Sequence, residues 1–172
     1  RALETGRLAA DAFLAQVAAT TRGRYGAAQV EEAWCAILGD EIPGMAELVH
    51  DAKEAGLSVI LFSDTSPIHY QALLRKLSFA AVLDGAVLSF DVGSTKPSSA
   101  MFEAVEQQYC RGGVPRLYVD DKMANIRAAR KRGWAAYRFG DPDGARGALV
   151  AALAEGPMTI RVQGMQGPLE RA

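Results

Sequence analysis

Two carboxylates stand side by side at Asp120 and Asp121, directly after the apolar run Leu117-Tyr118-Val119. At a strand end they repel each other unless a cation or a basic group compensates. A hard Mg²⁺ ion, which takes carboxylate oxygens, is a natural compensator. Asn125 follows Asp121 by one helical turn, so a helix starting near Lys122 turns its amide toward the same place. The alternative gives Asp121 to capping that helix and leaves Asp120 exposed. Ser63 closes a second apolar run, Val59 to Phe62, and is followed by Asp64, Thr65 and Ser66. The hydroxyl and backbone N–H groups of such a segment can cradle a phosphate where the next helix begins. Ser66-Pro67 reads equally as a helix N-cap with proline at the first helical position. Lys96, just before Pro97, would neutralise phosphate charge or stand as a solvated loop cation.

Other reactive side chains read as structural. His50 and His69 have no carboxylate or second histidine at ligand spacing, which assigns them to the surface or to helix packing. Trp34 and Trp134 read as core or interface residues. Arg127, Arg130, Lys131 and Arg132 fall at a helix end, where cations suit the macrodipole without any nucleic acid. Cys35 and Cys110 lie far apart with no metal-binding spacing, and read as buried thiols.

In open α/β sheets, ligands sit beyond the carboxyl ends of the strands, so Ser63, Lys96 and the acidic pair need parallel strands to deliver them. The apolar patterning predicts those strands at Val59–Phe62, Ala86–Phe90, Arg116–Val119 and Trp134–Phe139. Helices are predicted between and after them, at Ile68–Leu77, Ser98–Tyr109, Met123–Arg132 and Gly144–Leu153. Upstream, Leu8, Phe13, Leu14 and Val17 share one helical face, and Val30, Trp34, Ile37 and Leu38 share another. Pro43 opens a helix through Ala52 that ends at Gly56. Thr159 to Val162 could form a short strand.

The 172 residues carry 19 basic and 20 acidic side chains, a net charge of −1, so no bulk field favours nucleic acid or an anionic membrane. Hydrophobic residues make up 49% of the chain, enough for a real core, and no run is long enough to span a bilayer. The first 21 residues carry Glu4, Arg7 and Asp11 where a signal peptide needs an apolar stretch, which predicts a soluble, cytoplasmic protein.

In order, Val59-Ile-Leu-Phe-Ser63-Asp-Thr-Ser66, Lys96-Pro97 with Met101-Phe102, and Leu117-Tyr-Val-Asp-Asp121 with Asn125-Ile126 and Ala128-Ala129 resemble the haloacid dehalogenase-like hydrolases. The resemblance covers about Gly44 to Phe139. It implies a Rossmann-like three-layer α/β fold with a parallel sheet and a small helical cap at the N-terminus. It also implies a phosphatase in which an aspartate attacks phosphorus beside Mg²⁺ and water hydrolyses the aspartyl-phosphate. On that resemblance Ser63 and Lys96 are catalytic, and Ser63, Asp64 and Lys96 bind the phosphate. Asp121 and Asp120 hold the metal, and Asn125 supports them.

The family's first motif, a strand ending in Asp-x-Asp, has no counterpart before Leu8. Asp141-Pro142-Asp143 has the spacing but follows the expected edge strand, and reads as the start of the last helix. The central first strand is therefore expected to be missing from this chain and its aspartate nucleophile to lie upstream, so that residues 1–172 are an N-terminally truncated, inactive fragment. The expected layout is a partial cap at 1–42, an α/β core at 43–156 and a tail at 157–172. The expected function is hydrolysis of a small phosphorylated metabolite. A non-catalytic scaffold and a haloacid dehalogenase are the alternatives, the second disfavoured because a dehalogenase needs no paired carboxylates.

Overall fold

The computed structural model describes residues 1–154. The tail and its expected strand at Thr159–Val162 lie outside the described residues. The elements run α1 (Ala10–Thr20), α2 (Ala27–Cys35), α3 (Met45–Glu54), β1 (Ile60–Ser63), α4 (Pro67–Lys76), β2 (Gly85–Leu88) and α5 (Ser89–Val92). They continue α6 (Ser99–Tyr109), β3 (Tyr118–Asp120), α7 (Met123–Lys131), β4 (Ala136–Arg138) and α8 (Pro142–Ala154). This is the expected α/β alternation, with every strand pair parallel.

The strands form two separate two-stranded sheets, β1 with β2 and β3 with β4. Ile60 pairs with Gly85 and Ser63 with Leu88 in the first, and Tyr118 pairs with Ala136 and Asp120 with Arg138 in the second. Between β1 and β3 lies a cavity of about 520 Å³, lined along its sides by Val59 to Phe62 and by Leu117 to Val119. This slot separates β1 from β3, which make no backbone pairing with each other. Leu48, Val49, Ala145 and Leu149 of α3 and α8 line it on one face, and Val105 of α6 with Trp134, from the segment between α7 and β4, on the other.

Two clusters hold the halves in place. Under one face, Val87, Met101, Phe102, Val105, Tyr118, Ile126, Ala129 and Trp134 form a core on which Ile60 and Phe62 also pack. Its aromatic rings bridge the slot, with Phe62 of β1 and Tyr118 of β3 5.5 Å apart between centroids and both near Trp134. Such contacts add to their apolar burial. Glu106 locks the underside, accepting from Arg132 and from the Trp134 indole at 2.9 Å. On the other face Leu48 of α3 meets Ala145 and Leu149 of α8. A third cluster, Leu3, Leu14, Val30 and Ile68, seats α1 and α2 on α4.

Local differences from the sequence reading have physical causes. Ser89 and Phe90, expected in a strand, turn into α5 because the buried Ser89 hydroxyl takes the Thr65 N–H at 2.9 Å and donates to the Thr65 carbonyl at 3.0 Å. Pro43 precedes α3 rather than starting it. Gly44 is the N-cap with φ +89°, and a Cβ there would press on the Pro142 ring at 3.1 Å. Cys35 and Cys110 are half-buried rather than buried. Asp141 heads α8, its carboxylate accepting from the Gly144 N–H at 2.7 Å. No helix among the described residues is long and apolar enough to cross a membrane.

Candidate active site

β1 and β3 end at Ser63 and Asp120 on opposite sides of the slot, so their carboxyl ends bring two of the sequence-predicted residues to one mouth. Lys96 joins them. Its backbone N–H donates to Asp64 Oδ1 at 2.8 Å, which pins its loop to the end of β1. Asp64, expected among the phosphate-binding groups, thus spends one carboxylate oxygen on positioning Lys96. The Lys96–Pro97 peptide bond is cis.

The Lys96 side chain is 8% exposed and forms an ion pair at 2.8 Å with Asp120, itself 6% exposed. Lys96 Nζ also donates to the Phe62 carbonyl at 2.8 Å and sits 4.7 Å from the Phe62 ring centroid and 5.8 Å from that of Tyr118. An ammonium has three N–H donors. Two are committed, and the third remains for an anion at the mouth.

Asp120 is the hub of the site. Its Oδ1 accepts from the Lys122 N–H at 2.8 Å and from the Asn125 amide at 3.0 Å. Its Oδ2 accepts from Lys96 at 2.8 Å and from the Tyr118 hydroxyl at 2.5 Å. Burial pulls this carboxyl upward, but the hydrogen bonds from Lys96, Tyr118 and the Lys122 N–H outweigh it and hold Asp120 below the usual carboxylate range. Burial, then the hydrogen bond to Asp120, push the Tyr118 phenol far up, so it stays a neutral donor. Asn125, 2% exposed, is fixed by the same contact.

The acidic pair is therefore split between two environments. Asp120 is buried and surrounded by donors, which reverses the helix-cap reading in which it was exposed. Asp121 is exposed, and among the described residues its carboxylate takes no hydrogen bond or ion pair; only its backbone carbonyl is engaged, by Arg138 at 3.2 Å. The Ser63 hydroxyl likewise has no hydrogen-bond partner among the described residues. Ser66 does cap α4, accepting from the His69 N–H at 3.2 Å. His69 packs as expected, stacked on Trp34 with centroids 5.6 Å apart and bonded to the Trp34 carbonyl at 3.0 Å.

Among the described residues no group of three His, Cys, Asp or Glu side chains converges as a metal cage. Mg²⁺, however, is commonly held by one or two carboxylates, with waters and substrate phosphate oxygens completing its shell. The open Asp121 carboxylate suits that kind of site, whereas both oxygens of Asp120, expected to share the metal, are already taken by the donors of Lys96, Tyr118, Lys122 and Asn125. Tyr118 is the residue that sequence reasoning passed over. Its signal was present, because residues two apart in a strand share a face.

The sequence model of one family, haloacid dehalogenase-like hydrolase, matches residues 5–133. No curated protein matches the chain. Among solved structures, a HAD family enzyme of Bacteroides thetaiotaomicron, in complex with magnesium and inorganic phosphate, superposes with a TM-score of 0.70 at 21% identity, over 81% of this chain and 73% of that one. A protein of Porphyromonas gingivalis, described as a predicted HAD-like family hydrolase, gives 0.67 at 18% identity, over 88% and 77%.

Proposed function

Because the chain belongs to the haloacid dehalogenase-like hydrolase family, we propose that it is the core of a Mg²⁺-dependent phosphatase for a small phosphorylated substrate. The nucleophile in this reading is an aspartate carried by an upstream strand that fills the slot between β1 and β3. The observation that carries the proposal is the Lys96 ammonium, held by the Phe62 carbonyl and Asp120 at the carboxyl ends of β1 and β3 with one donor uncommitted, where the next residue along each strand, Ser63 and Asp121, carries a hydroxyl and a carboxylate without a partner among the described residues. Magnesium and inorganic phosphate bound by the Bacteroides enzyme support it.

In the first step a carboxylate oxygen attacks phosphorus, an acyl-phosphate bond forms, and the bond from phosphorus to the substrate oxygen breaks. The leaving oxygen departs with the bonding pair and takes a proton from solvent, which the attacking water returns in the second step. In the second, water attacks phosphorus, the acyl-phosphate bond breaks, and inorganic phosphate and the carboxylate are released. Phosphoryl transfer of this kind depends mainly on positioning and charge neutralisation. Ser63 donates to a phosphoryl oxygen. Lys96 donates its third N–H to the negative charge shared by nucleophile and phosphate, and Asp120 and the Phe62 carbonyl aim it. Asp121, helped by substrate phosphate and water, would hold Mg²⁺, which supplies further neutralisation of phosphate charge. Asn125 keeps Asp120 in place, and Asp64 keeps the Lys96 loop in place.

The test is hydrolysis of a generic aryl phosphate by the protein together with its upstream residues, with Mg²⁺ and after exhaustive chelation. Metal-dependent turnover is expected. Turnover unchanged by chelation, or dehalogenation of a haloacid without phosphatase activity, would overturn the reading.

A further inference from the structure

We infer that Tyr118 is a positioning residue of this site: its hydroxyl fixes the Asp120 carboxylate, and through it aims the Lys96 ammonium. Tyr118 and Asp120 sit two residues apart on β3 and therefore on one face of the strand. The residue is 6% exposed and its ring is clamped by Phe62, Phe102 and Trp134, with centroids 5.5, 6.1 and 5.6 Å away. A side chain so held has little rotamer freedom, so its hydroxyl is a fixed donor rather than an adaptable one. That donor reaches Asp120 Oδ2, the same oxygen that accepts from Lys96 at 2.8 Å.

The geometry gives the hydroxyl a specific task. Asn125 lies within 3.0 and 3.1 Å of the two Asp120 oxygens, so by itself it does not choose between them for Lys96. The Lys122 N–H holds Oδ1 from the far side. Tyr118 holds Oδ2 and so prevents the carboxylate from turning about its bond to the backbone. Without it, Lys96 keeps the Phe62 carbonyl and its contact with the Phe62 ring, but loses its fixed second anchor. Its third N–H is then no longer aimed at one point in the mouth. Loss of aim at a transferring phosphoryl group costs turnover more than ground-state binding.

The kinetic arm of the test rests on the phosphatase reading, and a second arm does not. In the protein with its upstream residues, Tyr118→Phe is expected to lower kcat on the order of ten-fold with little change in KM, the effect of losing one charge-assisted hydrogen bond. The same substitution made on top of Asp120→Ala is expected to add little, because the acceptor that links Tyr118 to Lys96 is already gone. Tyr109→Phe, which removes hydrogen bonds with the Ala86 backbone and touches none of Asp120, Lys96 and Ser63, serves as the control and should leave kcat unchanged. In the second arm, the rate at which a small acylating reagent modifies Lys96 is read by mass spectrometry on the 172-residue chain. Tyr118→Phe should raise it several-fold and Tyr109→Phe should not. An inactive parent protein with a Lys96 rate that rises in Tyr118→Phe would sink the phosphatase reading alone. An unchanged Lys96 rate, an unchanged kcat in an active protein, or an undiminished effect in the Asp120→Ala background would overturn the role of Tyr118.

Discussion

Removing the Asp120 carboxylate should be far more damaging than removing the Lys96 charge, although the two form one ion pair. Asp120→Ala leaves the Lys96 ammonium, 8% exposed, with the Phe62 carbonyl as its remaining hydrogen-bond acceptor, and takes the acceptor away from Tyr118, Asn125 and the Lys122 N–H together. Breaking a buried pair in this way costs about 3–5 kcal/mol, because the surviving charge stays desolvated. Lys96→Met is gentler. The thioether side chain fills much of the same volume, and Asp120 keeps three donors, so the cost falls to roughly 1–2 kcal/mol. For a domain of this size that separates into a Tm lowered by about 10 °C for Asp120→Ala and by a few degrees for Lys96→Met. Urea melts at pH 7 with unchanged m-values are the assay. Equal costs for the two variants, or a larger one for Lys96→Met, would refute the hub arrangement.

Ser63→Ala in the active protein should cut turnover on the order of 100-fold through loss of one oriented donor, with no change in Tm, because the hydroxyl supports nothing else among the described residues. The bond from Arg132 lowers the Glu106 pKa, burial opposes the shift, and the Trp134 indole reinforces it. Glu106 therefore contributes stability above its unfolded value, about 4.3, and loses it as pH falls through its lower folded value. Glu106→Gln should flatten the acid limb of stability against pH, as followed by melts between pH 7 and pH 3. Gly6→Ala should cost about 2 kcal/mol or more, since Gly6 has φ +66° and an added Cβ would overlap the Phe90 carbonyl oxygen. Thermal unfolding checks it.

How much of this was legible depended on whether the signal was local. The run Val59 to Ser63 announced a parallel strand with a polar end, though β1 is half-buried rather than buried, and Ser66-Pro67 announced the start of α4, because each carries its own cause. Ser89 did not. Its partner, Thr65, is 24 residues away, and that long-range bond overrode the strand pattern of Val87-Leu88-Ser89-Phe90. The acidic pair was visible as a pair, but which member would be buried was not. That is decided by Lys96, brought over by a loop pinned on Asp64. The slot has no signature within β1 or β3, since the pattern inside a strand does not tell which strand lies beside it.

The central claim is that the nucleophile comes from the strand that fills the slot, and it is tested most directly by trapping the covalent intermediate. The protein with its upstream residues is mixed with an aryl phosphate and Mg²⁺, quenched, reduced with borohydride at the acyl-phosphate, and mapped by mass spectrometry. The account predicts a reduced aspartate in a segment outside Arg1–Ala172. A label on Asp141 or Asp143 would contradict it and would move the chemistry to the head of α8.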